Sequence, residues 1–112
     1  MIYHILRQAD WDTAVNRGRY EPPSLRTEGF IHCSTREQVL HTARRWFGGQ
    51  TALVLLCIDE ARLEAEIRYE NLQGGHPPFP HIYGALDVSA VLWARPLPTA
   101  PDGAFRFPEP PE

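Results

Sequence analysis

The sequence predicts an α+β fold built on a mixed or antiparallel sheet. Three observations lead there. Strand and helix signals alternate twice and are followed only by strands. Thr51 to Ile58 is apolar nearly throughout, as in a central strand covered on both faces. Leu63, Ala65, Ile67 and Tyr69 then alternate with Glu64, Glu66, Arg68 and Glu70, the period-two pattern of a half-exposed strand.

In chain order, Ile2 to Leu6 reads as a strand with Tyr3 and Ile5 on one face and His4 on the other. Asp10 is the expected N-cap of a short helix carrying Trp11, Ala14 and Val15, and Gly18 its left-handed stop. Tyr20 to Leu25 is expected to be loop, because Pro22 and Pro23 can neither donate to a ladder nor continue a helix. Gly29 to Cys33 reads as a short strand. Ser34-Thr35-Arg36-Glu37 has capping-box spacing, with Ser34 as cap and Glu37 reaching back. Val39, Leu40, Ala43, Trp46 and Phe47 fall on one face of the helix that follows, and Gly48-Gly49 ends it. Asp59 to Arg62 turns the chain. Asn71 to Pro80 reads as a Gly/Pro loop and Val88 to Ala94 as the last strand. Residues 1–96 are expected to form the single domain. Residues 97–112 form a Pro-rich tail, extended except where Phe105 and Phe107 dock.

With 112 residues and 43% hydrophobic side chains, one core can be buried without staples. The net charge is −3 with signs interspersed, so the basic footprint of a general nucleic-acid binder is missing. An Arg-lined site for one phosphorylated molecule stays open. The longest apolar run is too short to span a bilayer, and the first residues lack the apolar core of a signal peptide. Cys33 and Cys57 sit in strand-like apolar surroundings outside any CxxC, which predicts buried free thiols and a cytoplasmic setting. A small-molecule partner and a monomer or weak homodimer are expected.

Three histidines carry the chemistry. His4, His32 and His81 occupy strands or strand edges, and imidazole can orient a hydroxyl, move a proton or bind a metal. For each, a histidine satisfied by backbone carbonyls is the rival reading. No pair has the i,i+4 helical spacing of a metallohydrolase, so no metal ligands are assigned. His41 and His76 are expected at the surface. Ser34 has two compatible roles, as helix cap and as part of a helix N-terminus beside His32 that holds a phosphate oxygen. Glu70 ends the alternating strand on the face of Glu66 and Arg68. Phe79 is expected in the core. Tyr83 is open between core and an aromatic face for a ligand ring.

Several motifs together resemble the bacterial domain-of-unknown-function family 952: Ile2-Tyr3-His4-Ile5; Trp11 with Ala14, Gly18 and Tyr20; Glu28-Gly29-Phe30-Ile31-His32-Cys33-Ser34; Tyr69-Glu70; and Phe79-Pro80-His81-Ile82-Tyr83-Gly84. The resemblance runs to about Pro96. That family is remotely similar to the ADP-ribosyltransferase-like superfamily. The similarity implies a curved, split sheet with two main helices and a cleft that takes NAD or an ADP-ribose-type ligand. Tyr3-His4 looks like the first-strand histidine motif that contacts a ribose. Gly29 to Ser34 looks like the strand-to-helix segment of RNA 2′-phosphotransferases. The resemblance thus implies His4, His32 and Glu70 as catalytic residues, with Glu70 steadying an oxocarbenium-like centre. Ser34, His81 and Tyr83 would bind the ligand, and NAD would be the substrate of a glycosyl- or ADP-ribosyl-type transferase or hydrolase. A non-catalytic module for a nucleotide or anionic metabolite is the alternative, and a metal-dependent hydrolase the third reading.

Overall fold

The structure, a computed structural model, describes residues 1–71 and 77–108. Its strands are β1 (Ile2–Arg7), β2 (Arg19–Tyr20), β3 (Ile31–His32), β4 (Leu53–Ile58), β5 (Glu66–Glu70), β6 (Phe79–Tyr83), β7 (Leu86–Asp87) and β8 (Val91–Pro96). Its helices are α1 (Gln8–Arg17), the single turn α2 (Ser24–Thr27) and α3 (Val39–Phe47). The α+β expectation holds. Among the described residues every strand pairing is antiparallel, and the strands form two three-stranded sheets, β1-β4-β8 and β3-β6-β5, plus the pair β2-β7.

All six residues of β4 are buried, because this strand separates two cores. Val54, Leu56 and Ile58 face one core with Ile2 and Leu6 of β1 and with Ile31 and Ile82 of the second sheet. Leu53, Leu55 and Cys57 face the other, where Val39 and Ala43 of α3 pack with Tyr3, Ile5 and Leu97. The order of layers is therefore second sheet, first sheet, then α3 with the tail. Phe105 and Phe107 do dock there. The Phe107 ring meets Tyr3 edge-on at 5.4 Å and Trp93 at 6.0 Å, under the guanidinium of Arg36. Both cysteines are free and buried, as expected.

Several local expectations are corrected. Helix α1 begins at Gln8, and Asp10 lies in its first turn without a capping bond; it pairs with Arg7 at 3.7 Å instead. Gly18 does stop α1 at φ 82°, donating to the Ala14 carbonyl. Val15 and Trp46 are 50% and 59% exposed, so the apolar stripes of both main helices are narrower than their sequences suggest. The box before α3 is shifted by one residue. Gln38 accepts from the Thr35 amide at 3.0 Å, so it is Gln38 and not Glu37 that reaches back, while no side chain caps the start of α3. Ser34 instead exchanges backbone hydrogen bonds with Tyr3. The expected loop at Tyr20 to Leu25 contains the end of β2 and the start of α2, which opens after Pro23, where a missing N–H is tolerated. Phe79 and Pro80 belong to β6, the middle strand of its sheet, rather than to a loop. The expected last strand begins as a 3-10 turn over Val88–Ala90, capped by Asp87, and is a strand only from Val91.

Candidate ligand-binding and acid–base site

The second sheet has one face against the core and one face away from it. Ile31, Ile67 and Ile82 pair across the three strands and form the core side. The next residue of each strand must point the other way. His32 pairs with His81, and His81 with Arg68, so these side chains share the outer face. Glu70, Phe79 and Tyr83 lie on it by the same alternation.

On that face the two imidazole rings stand 5.5 Å apart at a steep angle. Phe30 stacks on His81 at 4.2 Å and meets His32 at 4.8 Å. Each imidazole is held by a carboxylate. His81 donates from Nδ1 to Glu70 Oε1 at 2.9 Å, and the Tyr83 hydroxyl donates to the same oxygen at 2.6 Å. His32 donates from Nε2 to Glu28 Oε2 at 2.6 Å. The Tyr83 bond first, then the His81 bond, pulls the Glu70 carboxyl below its ordinary pKa and keeps it an acceptor. The same bond to Glu70 pushes the Tyr83 phenol up. These contacts engage His81 Nδ1 and His32 Nε2 and orient each ring against its own carboxylate. The environments differ: His81 is 5% exposed, whereas the His32 side chain is 56% exposed.

His4 is not part of this face. It shares the side of Ile2 and Leu6 on β1, opposite Leu56, and so lies on the core side of the second sheet. Its Nδ1 donates to the His32 carbonyl at 2.5 Å. That leaves Nε2 as the acceptor for the Tyr20 hydroxyl, 3.0 Å away. Burial lowers its pKa to about 4, so the ring is neutral at pH 7. His4 bridges β1 to the free edge of β3, beside the Tyr3–Ser34 backbone pair where the two sheets part. The rival reading made for every histidine, satisfaction by backbone carbonyls, describes His4.

Ser34 is buried, with its hydroxyl 3.0 Å from that of Thr42 on α3, apart from the outer-face cluster. The Thr35 amide that a phosphate would use is taken by Gln38. His41 is exposed as expected, whereas His76 lies outside the described residues. Among the described residues, no group of three His, Cys, Asp or Glu side chains is placed to hold a metal. No described helix is long and apolar enough to cross a membrane. A cavity of about 210 Å³, lined in part by Arg7, Arg17, Arg19 and Tyr20, includes neither His32 nor His81.

The structure adds Glu28, Phe30 and Arg68 to the residues singled out from sequence. Glu28 stands four residues before His32, a spacing visible in the sequence. The place of Arg68 depends on strand register, which the sequence does not display.

A family model for proteins of unknown function, DUF952, matches residues 5–94, spanning His32, Glu70, His81 and Tyr83. The chain belongs to the DUF952 family. Its fold is shared by protein CC0527 from Caulobacter crescentus. The crystal structure of that protein is 40% identical over 94% of this chain and 92% of its own, with a TM-score of 0.83. The solution NMR structure of the same protein gives 42% identity over 91% and 88%, with a TM-score of 0.80. No curated protein matches this DUF952 chain.

Proposed function

We propose that the outer face of the β3-β6-β5 sheet binds a small anionic ligand of the NAD or ADP-ribose type, with His32 and His81 as its proton-handling groups. The observation that carries this reading is the cross-strand imidazole pair, each ring oriented by its own carboxylate. An imidazole so held presents one free nitrogen at a fixed angle, the arrangement that general acid–base transfer requires. The ligand class rests on the resemblance of Gly29 to Ser34 to the RNA 2′-phosphotransferase segment. The reaction on this reading is transfer or hydrolysis at the anomeric carbon of an NAD-derived ribose. An imidazole takes the proton of the attacking hydroxyl while the bond from that carbon to nicotinamide breaks. Glu70 acts through His81 and Tyr83 and is a positioning residue, and His4 supports the face from behind. The buried thiols support a cytoplasmic setting.

A second reading, binding without turnover, is favoured by one observation. Glu70 Oε1 is already shared by His81 and Tyr83, which makes it a poor stabiliser for an oxocarbenium-like centre. Calorimetry with NAD and ADP-ribose, followed by chromatography for released nicotinamide, tests both. Binding that is lost in His32→Ala and His81→Ala supports the site, and released nicotinamide selects the enzyme over the binding module. Failure of both ligands to bind at millimolar concentration, or binding that survives both substitutions, overturns the proposal.

A further inference from the structure

The pairing register sets a third side chain in line with the histidines. Arg68 lies opposite His81, and His81 opposite His32, so one row crosses all three strands of the sheet. With neighbouring strands about 4.8 Å apart, the row spans roughly 10 Å. The guanidinium carbon of Arg68 sits 4.3 Å from the centre of the Tyr83 ring. Tyr83 is itself tied down by its bond to Glu70. Arg68 therefore rests on a fixed platform although its side chain is 54% exposed. Its Nε donates to the carboxylate of Glu66, whose side chain is 57% exposed.

We infer that Arg68 is the anion anchor of this face, that its ligand carries a diphosphate, and that Glu66 occupies the anchor in the ligand's place. The inference rests on the function proposed above and names the group that site recognises. A guanidinium fork matches phosphate oxygens in pairs, which a single imidazole cannot do. Stacking on Tyr83 holds the fork in advance, so less side-chain freedom is lost when an anion arrives. The Glu66 carboxylate is a weak competitor, because a pair this exposed is screened by water and salt. A diphosphate brings more charge and enough length to reach from Arg68 toward His81. A neutral nucleoside gains nothing from the row.

The test uses the full chain at one fixed, low ionic strength, with calorimetric titration of pyrophosphate, ADP-ribose and adenosine. Arg68→Gln is expected to weaken pyrophosphate and ADP-ribose about ten-fold or more, the range for a charge-assisted hydrogen bond. Glu66→Gln is expected to tighten both by up to about five-fold, the upper range for an exposed ion pair. Adenosine affinity is expected to change in neither variant. Opposite shifts from two neighbours on one strand are not what general destabilisation produces. Arg68→Lys, which keeps the charge and loses the fork, is expected to fall between wild type and Arg68→Gln. Binding unchanged in Arg68→Gln but lost in His32→Ala and His81→Ala would overturn the anchor and leave the proposed site standing. Pyrophosphate binding that Glu66→Gln fails to tighten overturns the competitor role. Absence of binding by wild type to pyrophosphate and ADP-ribose alike removes the underlying site, and the anchor with it.

Discussion

Acidification should destabilise this protein through His4, and His4→Gln should remove most of the effect. In the folded chain burial holds the His4 pKa at about 4, against about 6.5 for a free imidazole. The unfolded chain therefore takes up the proton first, and stability falls as the pH drops from 6.5 toward 4. Above 6.5 the contribution is fully present. The gap between the two values corresponds to roughly 3 kcal/mol, of which about 1 kcal/mol is lost by pH 5.5. Glutamine does not titrate, and its amide can donate to the His32 carbonyl and accept from the Tyr20 hydroxyl as the neutral ring does. Urea unfolding of both proteins at pH 7, 5.5 and 4.5 gives the comparison. Carboxylates that titrate in the same range contribute equally to both chains, so the difference between them isolates His4. Parallel loss of stability in wild type and His4→Gln would refute the assignment of His4 as a buried neutral bridge.

Two further substitutions probe the packing around this frame. In Gly84→Ala the added methyl would lie 2.9 Å from the Ala65 Cβ, an overlap expected to cost about 1–3 kcal/mol; an unchanged melting temperature would show that the β5-β6 end yields freely. Phe107→Ala removes the ring that packs on Tyr3 and Trp93 and is expected to lower stability by about 2 kcal/mol in urea titration, with a changed near-ultraviolet signal from Trp93; no change would mean the tail is not docked.

Much of the fold was legible because hydrophobic pattern sets secondary structure. The apolar run ending at Ile58 is buried on both sides, and the alternation through Glu70 gives the half-exposed β5. Strand β6 was harder, since Pro80 resembles a loop residue. Its missing N–H is tolerated there, and its carbonyl still accepts from the Cys33 amide. The box before α3 slipped by one residue because Ser34 and Thr35 are both capping residue types, and the backbone pairing of Ser34 with Tyr3 decided between them. At the site, alternation correctly separated His4 from Tyr3 and Ile5 but said nothing of what lies over each face of β1. A second sheet covers the His4 side, so a histidine expected to meet ligand meets a carbonyl and a phenol instead. His32 and His81 do meet, through a long-range strand pairing that no local pattern encodes.

The pairing of β1 also bears on the order in which the chain assembles. This strand precedes both its backbone partners in the chain, Ser34 and the whole of β4. Until β4 has been made, Ile2, Ile5 and Leu6 have no sheet to enter. Distant pairings of this kind slow folding and prolong the exposure of sticky segments. Three side chains that end up buried thus stay in need of protection until the residues of β4 follow them.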